Sequence, residues 1–309
     1  MMAADIFSKT VFQSIDKLVL YTMNMRVSNA LQETMDHAPT LAAVLADTEI
    51  CREKTADYAF YNLGQHPIWV TSRGEEIPCR VRIAPAPRPD APLMIYHHGI
   101  GEMPYYNSWW RLFSSKQFQN VHRVCVQAPY HDNFADPFEK GFASVEQIYK
   151  MFAGSLRITE FIQSYFEEHG AGYTVVGGVS WGGITSVIYE SLFQNTQAII
   201  PMFSSPNLAQ VMWDLAEMFK RPLSIEREQI DHLLDFTTYY NRCDPARVFP
   251  LLGENDLFFR YDHHADIFAD AGVQCISRGH ITGSWSSRPL RRHITDVLLQ
   301  AHELPLAVY

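Results

Sequence analysis

The sequence predicts an α/β protein built on a mostly parallel sheet. Three observations lead there. Short, wholly apolar runs recur along most of the chain, as expected of strands buried on both faces. Longer segments with helical periodicity separate most of them. A hairpin-like pair of alternating segments comes first, the usual lead-in of a sheet that then becomes parallel.

Taken in order, residues 1–66 read as an N-terminal helical extension. Ile6, Phe7, Val11, Phe12, Ile15, Leu18 and Val19 recur at helical spacing, with Asp5, Lys9, Asp16 and Lys17 on the remaining surface. Such a helix is expected to pack on its own chain or on a second subunit, so a homo-oligomer contact is one expected use. A membrane-surface role is disfavoured because the polar face is poor in Lys and Arg. From Pro67 the pattern changes. Ile68–Thr71 and Cys79–Ile83 flank a polar Ser72-Arg73-Gly74-Glu75-Glu76 turn and read as an antiparallel hairpin. A loop rich in proline (Pro85, Pro87, Pro89, Pro92) follows. The strand candidates are Leu93–Tyr96, Val121–Val126, Tyr173–Val179, Ala198–Phe203, Val248–Leu252 and Val273–Ile276. The best helical segments are Val145–Glu168, Ile184–Phe193 and Arg291–His302. Residues 67–309 thus form one sheet domain. Residues 205–244 interrupt its alternation with two apolar stripes, one from Leu208 to Phe219 and one from Ile230 to Phe236. They read as a helical insertion before a core strand, either a lid or a long crossover.

Composition removes several classes. The chain has 309 residues, 47% of them hydrophobic, and a formal net charge of -9. That surface repels phosphate backbones, so nucleic acid is not an expected partner. No stretch approaches the roughly 18 apolar residues of a membrane span. The start lacks the charged end, apolar run and cleavage site of a secretory signal. Five cysteines, Cys51, Cys79, Cys125, Cys243 and Cys275, are odd in number and contain no CxxC pair. Reduced thiols in a cytoplasmic protein are the expectation. Thirteen histidines raise the question of a metal. Adjacent His97 and His98 would point to opposite faces of a strand, which is a poor start for a metal site. No metal or organic cofactor is expected.

The most informative segment is Val175-Val176-Gly177-Gly178-Val179-Ser180-Trp181-Gly182-Gly183-Ile184. It carries Gly178-x-Ser180-x-Gly182 between a β-branched run and a helix-like segment. A nucleophilic serine needs this arrangement. The turn lifts its hydroxyl above the sheet, and glycines two residues either side let strand and helix approach. The helix N-terminus then offers N–H groups to negative charge. A glycine turn whose serine merely caps the helix is the bland alternative.

With this elbow, the stretch from about Pro67 to the C-terminus resembles the α/β-hydrolase superfamily, and within it esterase-type members with a His-Gly oxyanion loop. The resemblance implies four loops in order, each following a strand. After Leu93–Tyr96 comes His97-His98-Gly99-Ile100-Gly101. The family's His-Gly step would be His98-Gly99, with oxyanion donors at the backbone N–H of Ile100 and of Trp181. The fuller His-Gly-Gly-Gly pattern is missing, so Gly101 is an alternative donor. The acid is expected at Asp256 in Gly253-Glu254-Asn255-Asp256, with Glu254 as fallback; Asp244 and Asp262 flank that strand less suitably. The base is expected at His280 in Gly279-His280-Ile281. His263, His264 and His293 are rivals that fall in helical segments.

Two other segments reach the same edge. Gln127-Ala128-Pro129-Tyr130-His131 ends a strand in a loop, and Tyr130 and His131, with His98 and Gly99, are candidates to line a substrate pocket. Tyr105, Tyr106, Trp109 and Trp110 are candidate pocket aromatics, equally suited to core packing. The resemblance therefore implies a serine hydrolase of carboxylic esters using Ser180, His280 and Asp256, with a small-molecule ester or acyl substrate. A peptidase, thioesterase or acyltransferase would use the same groups. A non-catalytic binding protein would need none of the three.

Overall fold

A computed structural model describes residues 2–26, 30–55, 60–221, 223 and 225–302; the side chains of 2–7, 23–26, 30 and 32 are not among those described. Nine strands form one sheet: β1 Thr48–Ile50, β2 Gly64–Ser72, β3 Glu75–Ala84, β4 Leu93–His97, β5 His122–Val126, β6 Thr174–Val179, β7 Ala198–Met202, β8 Leu251–Gly253 and β9 Gln274–Ile276. The spatial order is β1-β2-β3-β5-β4-β6-β7-β8-β9. From β1 to β5 neighbours run antiparallel. From β5 through β4 to β9 every pair is parallel.

The strand pattern shows why the apolar runs are continuous. Leu93, Ile95, Val124, Val126, Val176 and Ile199 face one core. Their neighbours Met94, Tyr96, Cys125, Val175, Ala198 and Ile200 face a second core on the other side. Side chains alternate across the sheet, so a strand covered on both faces has to be apolar at every position. The first core is roofed by the helices Val145–Glu168 and Trp181–Phe193 and by the insertion. The second is closed by Asn107–Phe113 and Ser287–Ala301. No helix of the described residues is long and apolar enough to cross a membrane.

The structure modifies the sequence reading in four places. The N-terminal region is helical over Met2–Arg26 and again over Leu41–Ala46, but β1 then pairs with β2 at the sheet edge. A three-residue strand carries no usable periodicity. β2 begins at Gly64, so the sheet starts before Pro67. The strand expected at Val248–Leu252 is split. Val248 makes an isolated bridge to Ile199, and β8 proper starts at Leu251, because Pro250 has no N–H for the ladder. The apolar face of the first helix is also rotated. Leu18 is 69% exposed and Val11 38%, whereas Asp16 and Leu20 are fully buried. Asp16 is therefore on the packed face, not on the outer surface. The side chains of Asp5, Ile6 and Phe7 lie outside the described ones. The helix packs on its own chain, with the Arg278 guanidinium 5.2 Å above the Phe12 ring.

Within residues 205–244 there are helices at Leu208–Met218, Arg227–Leu234 and Thr237–Tyr240. An Asn207–Asp235 bridge draws the two ends of this excursion together. Ile230, Leu234 and Phe236 enter the first core, and the Tyr149 hydroxyl donates to Leu233 O at 2.6 Å. The insertion is thereby docked on the long helix Val145–Glu168.

Candidate active site

The segment after β6 is a sharp turn. Ser180 has φ 58° and ψ -121°, a conformation that costs a side-chain-bearing residue on the order of 1–3 kcal/mol. Local close approach explains the flanking glycines. A Cβ on Gly178 or on Gly182 would fall onto the His97 carbonyl at the end of β4. Only chains without side chains at both points let strand, turn and helix cross there. Ser180 N donates to Met202 O at 2.9 Å, which ties the turn to β7. Trp181 opens the helix. Its N–H meets no backbone acceptor among the described residues, as expected in a first helical turn, and neither does that of Ile100 in the turn after β4. The Trp181 ring stacks on Phe152 at 3.8 Å.

The loops after β8 and β9 meet each other. Asp256 Oδ2 accepts from His280 Nδ1 at 2.8 Å, with both residues buried. Asp256 Oδ1 accepts from the N–H groups of Phe258 at 2.7 Å and Phe259 at 2.9 Å, so the carboxylate is held on both oxygens. Because the acceptor sits on Nδ1, the neutral imidazole carries its proton there and leaves Nε2 as a base. Burial opposes a charge on His280, but the Asp256 carboxylate, its hydrogen bond and the more distant Asp16 outweigh burial and raise the imidazole above its ordinary pKa. The ring is wedged between aromatics, stacked on Phe258 with centroids 4.2 Å apart and edge-on to Phe203. Ser180 Oγ makes no hydrogen bond among the described residues, so the structure does not join it to His280.

The loop after β4 lies against the elbow. A Cβ on Gly99 would stand 3.6 Å from Ser180 Cβ. Gly101 has φ 71°, and Phe138 and Phe134 crowd the site of its absent side chain. His98 is buried with both ring nitrogens engaged: Nδ1 donates to Gly99 O at 2.8 Å and Nε2 accepts from Ala128 N at 3.1 Å. Burial, reinforced by His131, lowers its pKa to about 3, so it is neutral. His98 therefore ties the loop after β4 to the loop after β5 and has no nitrogen left for a ligand. His131 donates from Nδ1 to Pro129 O at 2.9 Å and packs edge-on to His98 at 4.6 Å. Its Nε2 is buried without a partner among the described residues. Tyr130, half-buried, adopts φ 59° between these groups.

Other sequence candidates lie elsewhere. Tyr105 and Trp109 are buried in the second core, and Trp110 is 52% exposed beside the Arg82 guanidinium. His263 pairs with Asp214 at 2.9 Å on the insertion, and His293 bonds Gln274 and Phe249 O. Glu254 and Asp244 make no contact with His280 among the described residues, and Asp262 pairs with Arg260. No group of three or more potential metal ligands occurs among the described residues.

Two carboxylates escaped the sequence reading. Glu102, in the loop after β4, accepts from Ser108 N, from Ser108 Oγ at 2.8 Å and from Gly99 N at 3.4 Å. Desolvation by the surrounding protein pushes it up to about 7 despite these bonds. Asp16, from the first helix, accepts from the backbone of His280 itself. The only sequence trace of either was a polar residue near an apolar run.

Strand order, the parallel half-sheet, the helical layers and the turn after β6 decide the architecture. The chain has the α/β-hydrolase fold. No protein-family model matches the sequence, and neither does any curated protein. Solved structures that share the fold include Est1E from Butyrivibrio proteoclasticus, at 12% identity and TM-score 0.55 over 76% of this chain and 98% of that one. Acetyl xylan esterase 1 from Thermoanaerobacterium sp. is similar at 13% identity and TM-score 0.55, over 90% and 93% of the two chains. S-formylglutathione hydrolase from Agrobacterium tumefaciens gives 16% identity and TM-score 0.50, over 79% and 95%. At such identities the likeness concerns the α/β-hydrolase fold alone.

Proposed function

We propose that the protein is a serine hydrolase of carboxylic esters. The observation that carries this reading is the buried Asp256–His280 hydrogen bond, at the same end of the parallel strands as the strained Ser180 turn. Parallel sheets of this kind use that end for their sites. A binding module has no need of a base held in one tautomer by a buried carboxylate. Two solved structures with this fold are named an esterase and a hydrolase, which agrees with the reading.

In the proposed reaction Ser180 Oγ attacks the ester carbonyl carbon while His280 Nε2 takes its proton. The N–H groups of Ile100 and Trp181 hold the oxyanion, each worth on the order of a hundredfold or more in rate. The intermediate collapses, the C–O bond to the alcohol breaks, and His280 returns the proton to the departing alkoxide. Water then attacks the acyl–Ser180 carbonyl, with His280 again as base, and releases the acid and free Ser180. Asp256 orients the ring and balances the imidazolium. Tyr130 and the Phe134–Phe138 pair beside Gly101 form the proposed substrate wall. In this reading His98, Gly99 and His131 shape the loops behind it.

Labelling with a fluorophosphonate and intact-mass analysis tests the reading. A single adduct on Ser180, and loss of aryl-ester turnover in Ser180→Ala, is the expected result. An unlabelled, folded protein, or turnover unchanged in Ser180→Ala, refutes it. A panel of aryl esters, thioesters and aminoacyl amides ranks the acyl substrates.

A further inference from the structure

The N-terminal helix Met2–Arg26 contributes a fully buried carboxylate to this site. Asp16 Oδ2 accepts from His280 N at 2.7 Å and from Leu257 N at 3.2 Å, and Oδ1 accepts from Ile281 N at 3.0 Å. Leu257 directly follows Asp256, so one carboxylate grips the two loops that carry the two halves of the Asp256–His280 pair. The fit is close. A Cβ on Gly279 would stand 2.8 Å from Asp16 Oδ2, so a side chain at 279 would push Asp16 out of its present place. Phe12 and Leu20, one turn to either side, anchor the same helix face.

The bonding pattern favours the ionised carboxylate. All three of these contacts are N–H donors, and Asp16 donates to no acceptor among the described residues, so a proton on it would have no partner. Its pKa is raised from the ordinary carboxylate value: burial raises it most and Asp256 adds to this, while His280 and the backbone N–H groups of Ile281 and His280 offset only part. The carboxyl groups that act on His280 are Asp256, across its Nδ1, and Asp16, behind its backbone. Phe203, Phe258 and Phe259 cover the remaining sides without charge.

We propose that Asp16 is a positioning residue, supplied by the N-terminal helix, that locks the loops of Asp256 and His280 together and places a second negative charge behind the imidazolium. The proposal rests on the hydrolase reading. It makes residues before the sheet part of the active site. In its absence the ring would lose its fixed height above the sheet and part of the field that favours its protonated form.

The test compares wild-type protein with Asp16→Asn and Asp16→Ala. It uses thermal melts, aryl-ester kinetics across pH, and NMR titration of the His280 ring. Asn keeps the shape and one acceptor oxygen but not the charge, so it decides the matter should Ala fail to fold. In folded variants kcat is expected to fall by about ten- to a hundredfold, the scale of a misplaced catalytic group, with KM nearly unchanged. The His280 titration and the acid limb of kcat/KM both move to lower pH, because removing a carboxylate disfavours the imidazolium. Unchanged kcat with an unchanged titration overturns the proposal. So does an effect confined to KM or to the melting temperature. The NMR titration reads Asp16 even if no ester is turned over; failure of Ser180 labelling sinks the hydrolase reading instead.

Discussion

Asp256→Asn is the sharpest perturbation of this site. The substitution changes one atom. Asn Oδ1 can keep both backbone donors, Phe258 N and Phe259 N, so the loop has no reason to move. What changes is the atom at the position of Oδ2, 2.8 Å from His280 Nδ1. An amide N–H₂ there faces the ring N–H donor to donor. The ring escapes by shifting its proton to Nε2, which removes the lone pair that accepts the Ser180 proton in the proposed reaction. Direct loss of a charge-assisted hydrogen bond is worth about 1.5–3 kcal/mol, or roughly one to two decades in rate. The tautomer shift adds to this, and a triad with the equivalent substitution loses about 10⁴-fold in kcat, which is about 5.4 kcal/mol. Both side chains are buried, so water cannot compensate. The expected outcome is a folded protein whose aryl-ester kcat falls by about 10³- to 10⁴-fold, with KM little changed. Steady-state kinetics against wild type, with near-UV circular dichroism as the fold control, measures it. Activity within tenfold of wild type would show that His280 does not depend on Asp256, and the mechanism would fall with it.

Four further outcomes follow from the same geometry. The proposed reaction needs a neutral His280, whose pKa is raised, so the acid limb of kcat/KM should lie above the usual histidine value of 6.5; a limb below that value contradicts the charge balance. The stability from its pairing runs the other way, being full below the unfolded pKa and lost as pH rises through the folded one, which melts across pH would show. Gly182→Ala drives a Cβ into the backbone carbonyl of His97 and should cost about 3 kcal/mol or more, read by chemical denaturation. Ser180→Gly should abolish turnover yet stabilise the fold by about 1 kcal/mol, since glycine relieves the φ 58° turn at a smaller entropic cost. Equal or lower stability would mean that the turn stores no strain.

Much of this protein is written locally. The apolar strand runs were readable because β4, β6 and β7 are covered on both faces, which leaves no position free to be polar. The elbow was readable because its constraints lie within five residues, where Gly178 and Gly182 answer to one crossing. Asp256 and His280 could be nominated because the resemblance to the α/β-hydrolase superfamily implies an acid and a histidine, in that order, in the loops that follow the later strands.

Other features depend on groups that are remote in sequence. The edge strand β1 exists because β2 offers it an unpaired ladder, and its own three residues say nothing. Tyr105 and Trp109 look like pocket aromatics until the sheet assigns their loop to the second core. His98 looks like a ligand-binding residue until the Ala128 N–H arrives from the next strand's loop to occupy its second nitrogen. Asp16 is the extreme case. Within its helix a carboxylate belongs on the wet side, and periodicity assigns it there. Its burial is stable only because donors 241 and 264 positions further along the chain converge on it. By itself, then, the sequence determined which segments could be strands, helices and turns, since these depend on side-chain type and local backbone freedom. Only the tertiary structure decided which polar groups meet, because a buried charge is tolerated wherever folding brings enough hydrogen-bond donors, and no local pattern records that.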